Sequence, residues 1–196
     1  DSASFHLVKY LGGQRLAAVG EDYKESKGLF LYSDDNGSSW DTTLINSFIN
    51  DFDFANDSVV YMVGYHFPNF GFENRLYKSS NYGKTWDTVK LELGNIGLFN
   101  VKVVNDSTII LSSNKNNIIR SYDGGLKWDT VKFDTCSDYR SNSPYFFTDS
   151  IGVLIAEQRG SCEVAYFTTF VTENAGLTWI EKNGLPISSQ ADVQFY

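Results

Sequence analysis

Apolar and polar residues alternate along several short runs of this chain, and each run passes across a small polar turn into a continuous apolar stretch. The pattern is plain in "FDFANDSVVYMVG", "VKVVNDSTIILSS" and "YFFTDSIGVLIAE". Period-two alternation predicts a half-buried strand, and a short unbroken apolar run bounded by turn residues predicts a strand covered on both faces. The turns between them fall at Asp57-Ser58, Asp106-Ser107 and Asp149-Ser150, with Gly12-Gly13 taking that place in "FHLVKYLGGQRLAAVG". No segment carries a convincing helical period.

A second phrase follows each strand pair. It reads Ser/Thr-x-Asp/Asn-x-Gly-x-x-Trp and accounts for all four tryptophans. The first copy holds Ser33, Asp35, Gly37 and Trp40, and the second Ser79, Asn81, Gly83 and Trp86. The third holds Ser121, Asp123, Gly125 and Trp128, and the fourth Thr172, Asn174, Gly176 and Trp179. A hairpin turn explains these residue types. The short Asp or Asn side chain accepts backbone N–H bonds, glycine supplies a positive φ, and tryptophan anchors the returning strand. The tryptophans recur every 42 to 51 residues or so, a period that suggests a propeller or a solenoid. Four short antiparallel strands in about 45 residues make one propeller blade.

The phrase resembles the Asp-box, or BNR repeat, and all four copies match it in register. The resemblance implies an all-β propeller of four-stranded antiparallel blades in which the Asp-box is a structural turn away from the ligand face. Among Asp-box propellers the chain looks most similar to photosystem II assembly-factor-like and sortilin-like proteins, and less to sialidases. We expect blade one at about 4–45, blade two at about 48–92, blade three at about 97–134 and blade four at about 143–183. Residues 190–196, "QADVQFY", read as the first strand of a further blade, so the four blades are expected to be part of a larger propeller. A closed ring of four is the alternative.

Composition agrees with a folded β chain. Of the 196 residues, 42% are hydrophobic and 16% aromatic, which a disordered chain would not carry. The formal net charge is -8, with no stripe of Lys or Arg, which argues against a nucleic-acid partner. No apolar run approaches the length that spans a bilayer. Cys136 and Cys162 lack metal-ligand spacing. They fall in two loops expected on one face of blade four, which predicts a disulfide and an oxidising compartment.

Catalytic chemistry is hard to find in the sequence. A sialidase-like site needs three arginines gripping a carboxylate, with a Tyr–Glu pair and an acid. The five arginines do not supply that pattern: Arg120 directly precedes the third turn phrase, and the Arg-Ile-Pro signature is absent. Two carboxylates across a cleft would suit other glycosidases, but none sits in a distinctive motif. We expect no metal and no cofactor. The sequons at Asn36, Asn56 and Asn105 lie in tight turns and read as chance.

What distinguishes the blades is their loops. "GYHFPNFGFENR", Gly64 to Arg75, gathers Tyr65, His66, Phe67, Phe70 and Phe72, an aromatic density that a solvated loop does not need. The bland reading is a small core over its own blade, and the functional one a recognition surface. Tyr139 and Arg140, read as lying in the loop before blade four, would add a polar rim. The expected function is a non-catalytic, extracytoplasmic scaffold or binding module for a protein or carbohydrate, working through the face opposite the Asp-boxes. The alternatives are a fragment of a secreted glycoside hydrolase and a structural subunit of a cell-envelope assembly.

Overall fold

The computed structural model describes residues 3–66, 73–92, 96–114, 117–132, 138–141, 143–159 and 167–182. Phe67, Phe70, Phe72, Cys136, Cys162 and the expected strand at 192–195 lie outside them. The described residues form four antiparallel sheets, numbered as blades one to four in chain order, and no helix. The chain divides into two compact units, Asp1–Leu98 and Phe99–Tyr196.

In the first unit, blade one is β1 (Ala3–Tyr10), β2 (Leu16–Asp22), β3 (Lys27–Ser33) and β4 (Asp41–Ile45), paired in that order. Blade two repeats it with β5 (Phe48–Phe54), β6 (Val60–His66), β7 (Glu73–Ser79) and β8 (Asp87–Val89). The apolar second strands are buried on both faces, while the fourth strands are mostly exposed, as their patterns predict. Between the two sheets lies one core. Ala17, Val19, Phe30, Tyr32 and Ile45 of blade one meet Ile49, Phe52, Val60, Met62 and Tyr77 of blade two.

In the second unit, blade three is β9 (Leu98–Val103), β10 (Ile109–Ser113), β11 (Asn117–Ser121) and β12 (Asp129–Lys132). Blade four departs from four strands. Its first position is split into β13 (Asp138–Ser141) and β14 (Tyr145–Phe146), both paired with β15 (Gly152–Arg159). Then come β16 (Phe167–Thr172) and β17 (Ile180–Lys182). The segment read as a loop holding Tyr139 and Arg140 is thus a strand, with Tyr139 opposite Gln158 and Arg140 opposite Glu157. Pro144 stands in the gap and has no N–H to offer a ladder, which fits a break there. The core of this unit is Ile110, Ile118, Leu154, Ala156 and Phe170, with Trp179 packed against it.

All four repeated turns are built alike. The leading hydroxyl is buried, at 2, 1, 0 and 1% exposure for Ser33, Ser79, Ser121 and Thr172. It donates to the Asp or Asn two residues on, at 2.8–3.1 Å. It also accepts the glycine N–H four residues on, at 2.8–2.9 Å. The Asp or Asn oxygen in turn accepts the N–H of Ser39, Thr85, Lys127 or Thr178 at 2.8–2.9 Å. Asparagine serves as well as aspartate because the turn uses an acceptor, not a charge.

The tryptophans sit one residue ahead of the outer strands rather than on their first residues. The indoles of Trp40, Trp86 and Trp128 donate to the carbonyls of Gly37, Gly83 and Gly125. The residue before each glycine is also left-handed: Asn36, Tyr82, Gly124 and Ala175 have φ of 58, 62, 68 and 55°. In that conformation its N–H reaches the carbonyl of Gln14, Ser58, Ser107 or Ser150 in the first hairpin of its own blade. Those hairpins are not organised by their Asp-Ser pairs. The acceptors are one residue earlier, at Asn56, Asn105 and Thr148, each taking two backbone N–H bonds.

Within each unit, the turn of the second blade docks on the first. A Cβ on Gly83 would lie 2.1 Å from Cε1 of Phe30, and one on Gly176 would lie 2.6 Å from Cδ1 of Ile110. Thr43 Oγ1 donates to Gly83 O at 2.8 Å, and Arg120 Nε to Ala175 O at 2.8 Å. Trp86 closes on Phe30 edge-to-face at 5.0 Å.

Two outcomes follow. Gly83→Ala forces a Cβ into Phe30 at positive φ and should destabilise the chain by about 2 kcal/mol or more, read as a lower denaturant midpoint. Ala175→Gly relieves left-handed strain and should be neutral to stabilising by up to about 1 kcal/mol. A further outcome concerns acid. The Ser39 N–H first, then the Ser39 and Ser33 hydroxyls, hold the Asp35 carboxyl down to about 2. Its folded value lies below its unfolded one, so its contribution is complete above about pH 4 and fades as pH falls toward 2. The stability gap between the natural chain and Asp35→Asn should therefore shift across that window in urea titrations, against the alternative of a gap that stays constant.

Candidate functional site

At the end of the first two blades away from the repeated turns, the β2–β3 turn lies near the end of β6. Asp22 Oδ1 shapes this turn by accepting the N–H groups of Lys24 and Glu25, at 2.9 and 3.2 Å. That turn leaves Tyr23 59% exposed among charges.

Strand β6 ends with Gly64, Tyr65 and His66. Gly64 lies opposite Ile49, and a Cβ there would come 2.1 Å from the Phe48 carbonyl oxygen. The close approach lets Tyr65 stack on Phe48 across the ladder, with centroids 5.5 Å apart and planes at 26°. Burial raises the Tyr65 phenol, and Glu21 and Tyr23 of the neighbouring blade add to the rise. The phenol stays neutral and able to donate. His66 is half-buried and pairs with Glu73 across the hairpin.

Under this surface runs a polar chain. Arg75 pairs with Glu73 at 2.7 Å and reaches the Tyr77 hydroxyl at 3.5 Å. Those two bonds, Tyr77 first, raise the guanidinium further. Tyr77 shares a 2.6 Å hydrogen bond with the buried Ser47, whose carbonyl accepts the Gly28 N–H. The chain ties the two blades together beneath the aromatic rim.

Of the residues singled out in sequence, the structure therefore brings Tyr65 and His66 to this surface. Phe67, Phe70 and Phe72 of the same connection lie outside the described residues. Tyr139 and Arg140 belong to the second unit, on β13. Phe48, Glu21 and Tyr23 escaped the sequence reading. The β2–β3 segment reads as a solvated charged loop, and only strand register sets Phe48 opposite Tyr65.

Several of the described carboxylates are engaged by cations or within turns. Asp51 and Asp53 share Lys9, at 3.3 and 3.5 Å, and Lys9 also donates to the Phe52 carbonyl. Asp57 bridges to Arg15 at 2.5 Å. Asp35 and Asp123 are spent inside their turns. Among the described residues, no three His, Cys, Asp or Glu side chains are grouped to hold a metal ion. No described helix is long and apolar enough to cross a membrane.

Four-stranded antiparallel blades, docked in pairs and lacking helices, define a β-propeller, of which this chain carries four blades. Solved structures agree. The chain resembles a structure described as YCF48 bound to D1 peptide, at 10% identity and a TM-score of 0.52, over 92% of this chain and 81% of that one. It resembles YCF48 from Cyanidioschyzon merolae at 17% identity and a TM-score of 0.63, over 92% of this chain and 56% of that one. A GH74 xyloglucanase from Xanthomonas campestris matches at 14% identity and a TM-score of 0.67, over 91% of this chain but 30% of the enzyme. The chain matches no protein-family model and no curated protein in sequence. Identities this low establish the fold alone.

Tyr77→Phe tests the polar chain. It leaves the Ser47 hydroxyl buried without its partner and should cost about 1–3 kcal/mol in chemical denaturation, with the circular dichroism spectrum unchanged.

Proposed function

We propose that this chain is a non-catalytic binding module, part of a larger Asp-box propeller, that takes a protein partner on the blade end opposite its repeated turns. The observation that carries this reading is the division of labour between the two ends. At one end the leading hydroxyls and the Asp or Asn side chains of the repeated turns are engaged within their own turns. At the other, Tyr65 stacked on Phe48 and the exposed Tyr23 offer flat aromatic area over a braced base. Such rings supply contact area at low entropic cost. The Phe67, Phe70 and Phe72 segment belongs to that surface in this reading, and Tyr139 and Arg140 are proposed separately as polar binding residues of blade four. The peptide held by a YCF48 structure of the same fold supports a protein partner.

An extracytoplasmic location and a Cys136–Cys162 disulfide belong to the same proposal, and a structural subunit of a cell-envelope assembly is an alternative to it. A second reading, part of a glycoside hydrolase, is favoured by the likeness to the xyloglucanase. Against it stands the engagement of Asp51 and Asp53 by Lys9.

The test is an immobilised peptide library probed with the chain, with xyloglucan as the competing probe. Binding that falls about 30-fold in Tyr65→Ala or Phe70→Ala, with melting unchanged, supports the module. Release of reducing sugar from xyloglucan would overturn it in favour of the hydrolase.

A further inference from the structure

One residue pair singled out in the sequence does not organise the turns it stands in. Asp57-Ser58, Asp106-Ser107 and Asp149-Ser150 occupy hairpins whose backbone N–H bonds go to Asn56, Asn105 and Thr148. The same residue types recur at a second place. Asp41-Thr42, Asp87-Thr88 and Asp129-Thr130 open the outer strands of blades one, two and three. A β-branched residue follows each of these pairs: Val59, Thr108 and Ile151 in the hairpins, Thr43, Val89 and Val131 in the outer strands. Every blade carries the phrase at least once.

Local backbone geometry does not explain the repetition. A tight turn and an edge strand place different demands on the chain, and aspartate is a poor strand former. Opposite charge across the ladder accounts for Asp87 at Lys78 and for Asp129 at Arg120. It does not account for the hydroxyl beside each, nor for Asp106 and Asp149 at the hairpin tips.

What the copies share is access. The aspartates of all these pairs are exposed, and so are Thr42, Thr88, Thr130, Ser107 and Ser150. No hydrogen bond ties the Thr42, Thr88 or Thr130 hydroxyl to another described residue. Thr88 is exposed with blade one packed against its own blade, so the position is open between docked blades. The outer strand of a blade is an edge whatever the number of blades in the ring.

We infer that this phrase, an aspartate, then serine or threonine, then a β-branched residue, marks acceptor hydroxyls for O-linked glycosylation, with Thr42, Thr88 and Thr130 as the leading sites. The hydroxyl oxygen attacks the anomeric carbon of a glycosyl phosphate donor. The glycosidic C–O bond forms, the bond from that carbon to the phosphate oxygen breaks, and the phosphate leaves with the electron pair. The hydroxyl proton passes to a base of the transferase. The preceding carboxylate is the handle that the transferase reads, and the unpaired backbone of the edge strand lets it bind by strand addition. A neutral sugar adds no charge beside the aspartate, whereas a phosphate sets two anions side by side. Sugars along the outer strands also shield those edges from pairing with other chains. The inference does not depend on the binding function proposed above.

Peptide mapping of the natural protein, purified from the cells that make it, tests this by electron-transfer fragmentation, which leaves side-chain sugars attached. Thr42, Thr88 and Thr130 should each carry a mass excess of whole sugar residues. Asp87→Asn, produced in the same cells, should lose the sugar at Thr88 and keep it at Thr42, while Asp87→Glu retains both. Thr88→Val should lose it with an unchanged circular dichroism spectrum, since valine suits a strand. Unmodified threonines at all three places would overturn the inference. So would phosphate in place of sugar, or a sugar at Thr88 that survives Asp87→Asn.

Discussion

Each blade hangs on one buried hydroxyl at the close of its third strand. Ser33, Ser79, Ser121 and Thr172 are almost without solvent, so their oxygen must donate and accept within the protein or carry the full cost of desolvation. It does both, to the Asp or Asn and from the glycine. That pair of bonds holds two successive left-handed residues, which no strand or helix would keep. From them follow the bond to the first hairpin of the blade, the direction of the tryptophan and the launch of the outer strand. The glycine notch that results is the part of one blade that enters the next.

The same economy explains how several of the described carboxylates are engaged. A carboxylate such as Asp35 looks reactive in a list of acidic residues. Its oxygens are instead engaged by Ser33 and Ser39, and its lowered pKa records those bonds rather than a catalytic task. Asparagine fills the same place in two blades, which a role in proton transfer would not allow. Asp51 and Asp53 are likewise absorbed, by a lysine reaching across from the first blade. In the function proposed above, recognition falls to the opposite end of the blades.

There the protein uses register to assemble an aromatic surface from separate strands. Phe48 and Tyr65 are 17 positions apart and stack because their strands pair antiparallel around Gly64. Ser47, Tyr77 and Arg75 brace them from below.

The sequence by itself determined the blades. Alternating and continuous apolar runs set which strands are half-buried and which are covered on both faces, and Gly37, Gly83, Gly125 and Gly176 marked turns with positive φ. These are local constraints, written in adjacent residues. Local pattern did not reveal that Tyr82 and Ala175 are left-handed too, because their conformation is imposed by a hydrogen bond to the preceding hairpin. Nor did it show that Asn56 and Asn105, not the Asp-Ser pairs, organise the hairpins. Tyr139 and Arg140 read as loop because serine, asparagine and proline surround them, yet pairing with β15 makes them a strand. The tertiary structure alone decided that Tyr65 meets Phe48 and that Lys9 engages two aspartates. Each depends on partners more than ten residues away, and no local preference encodes which distant strand or sheet will supply them.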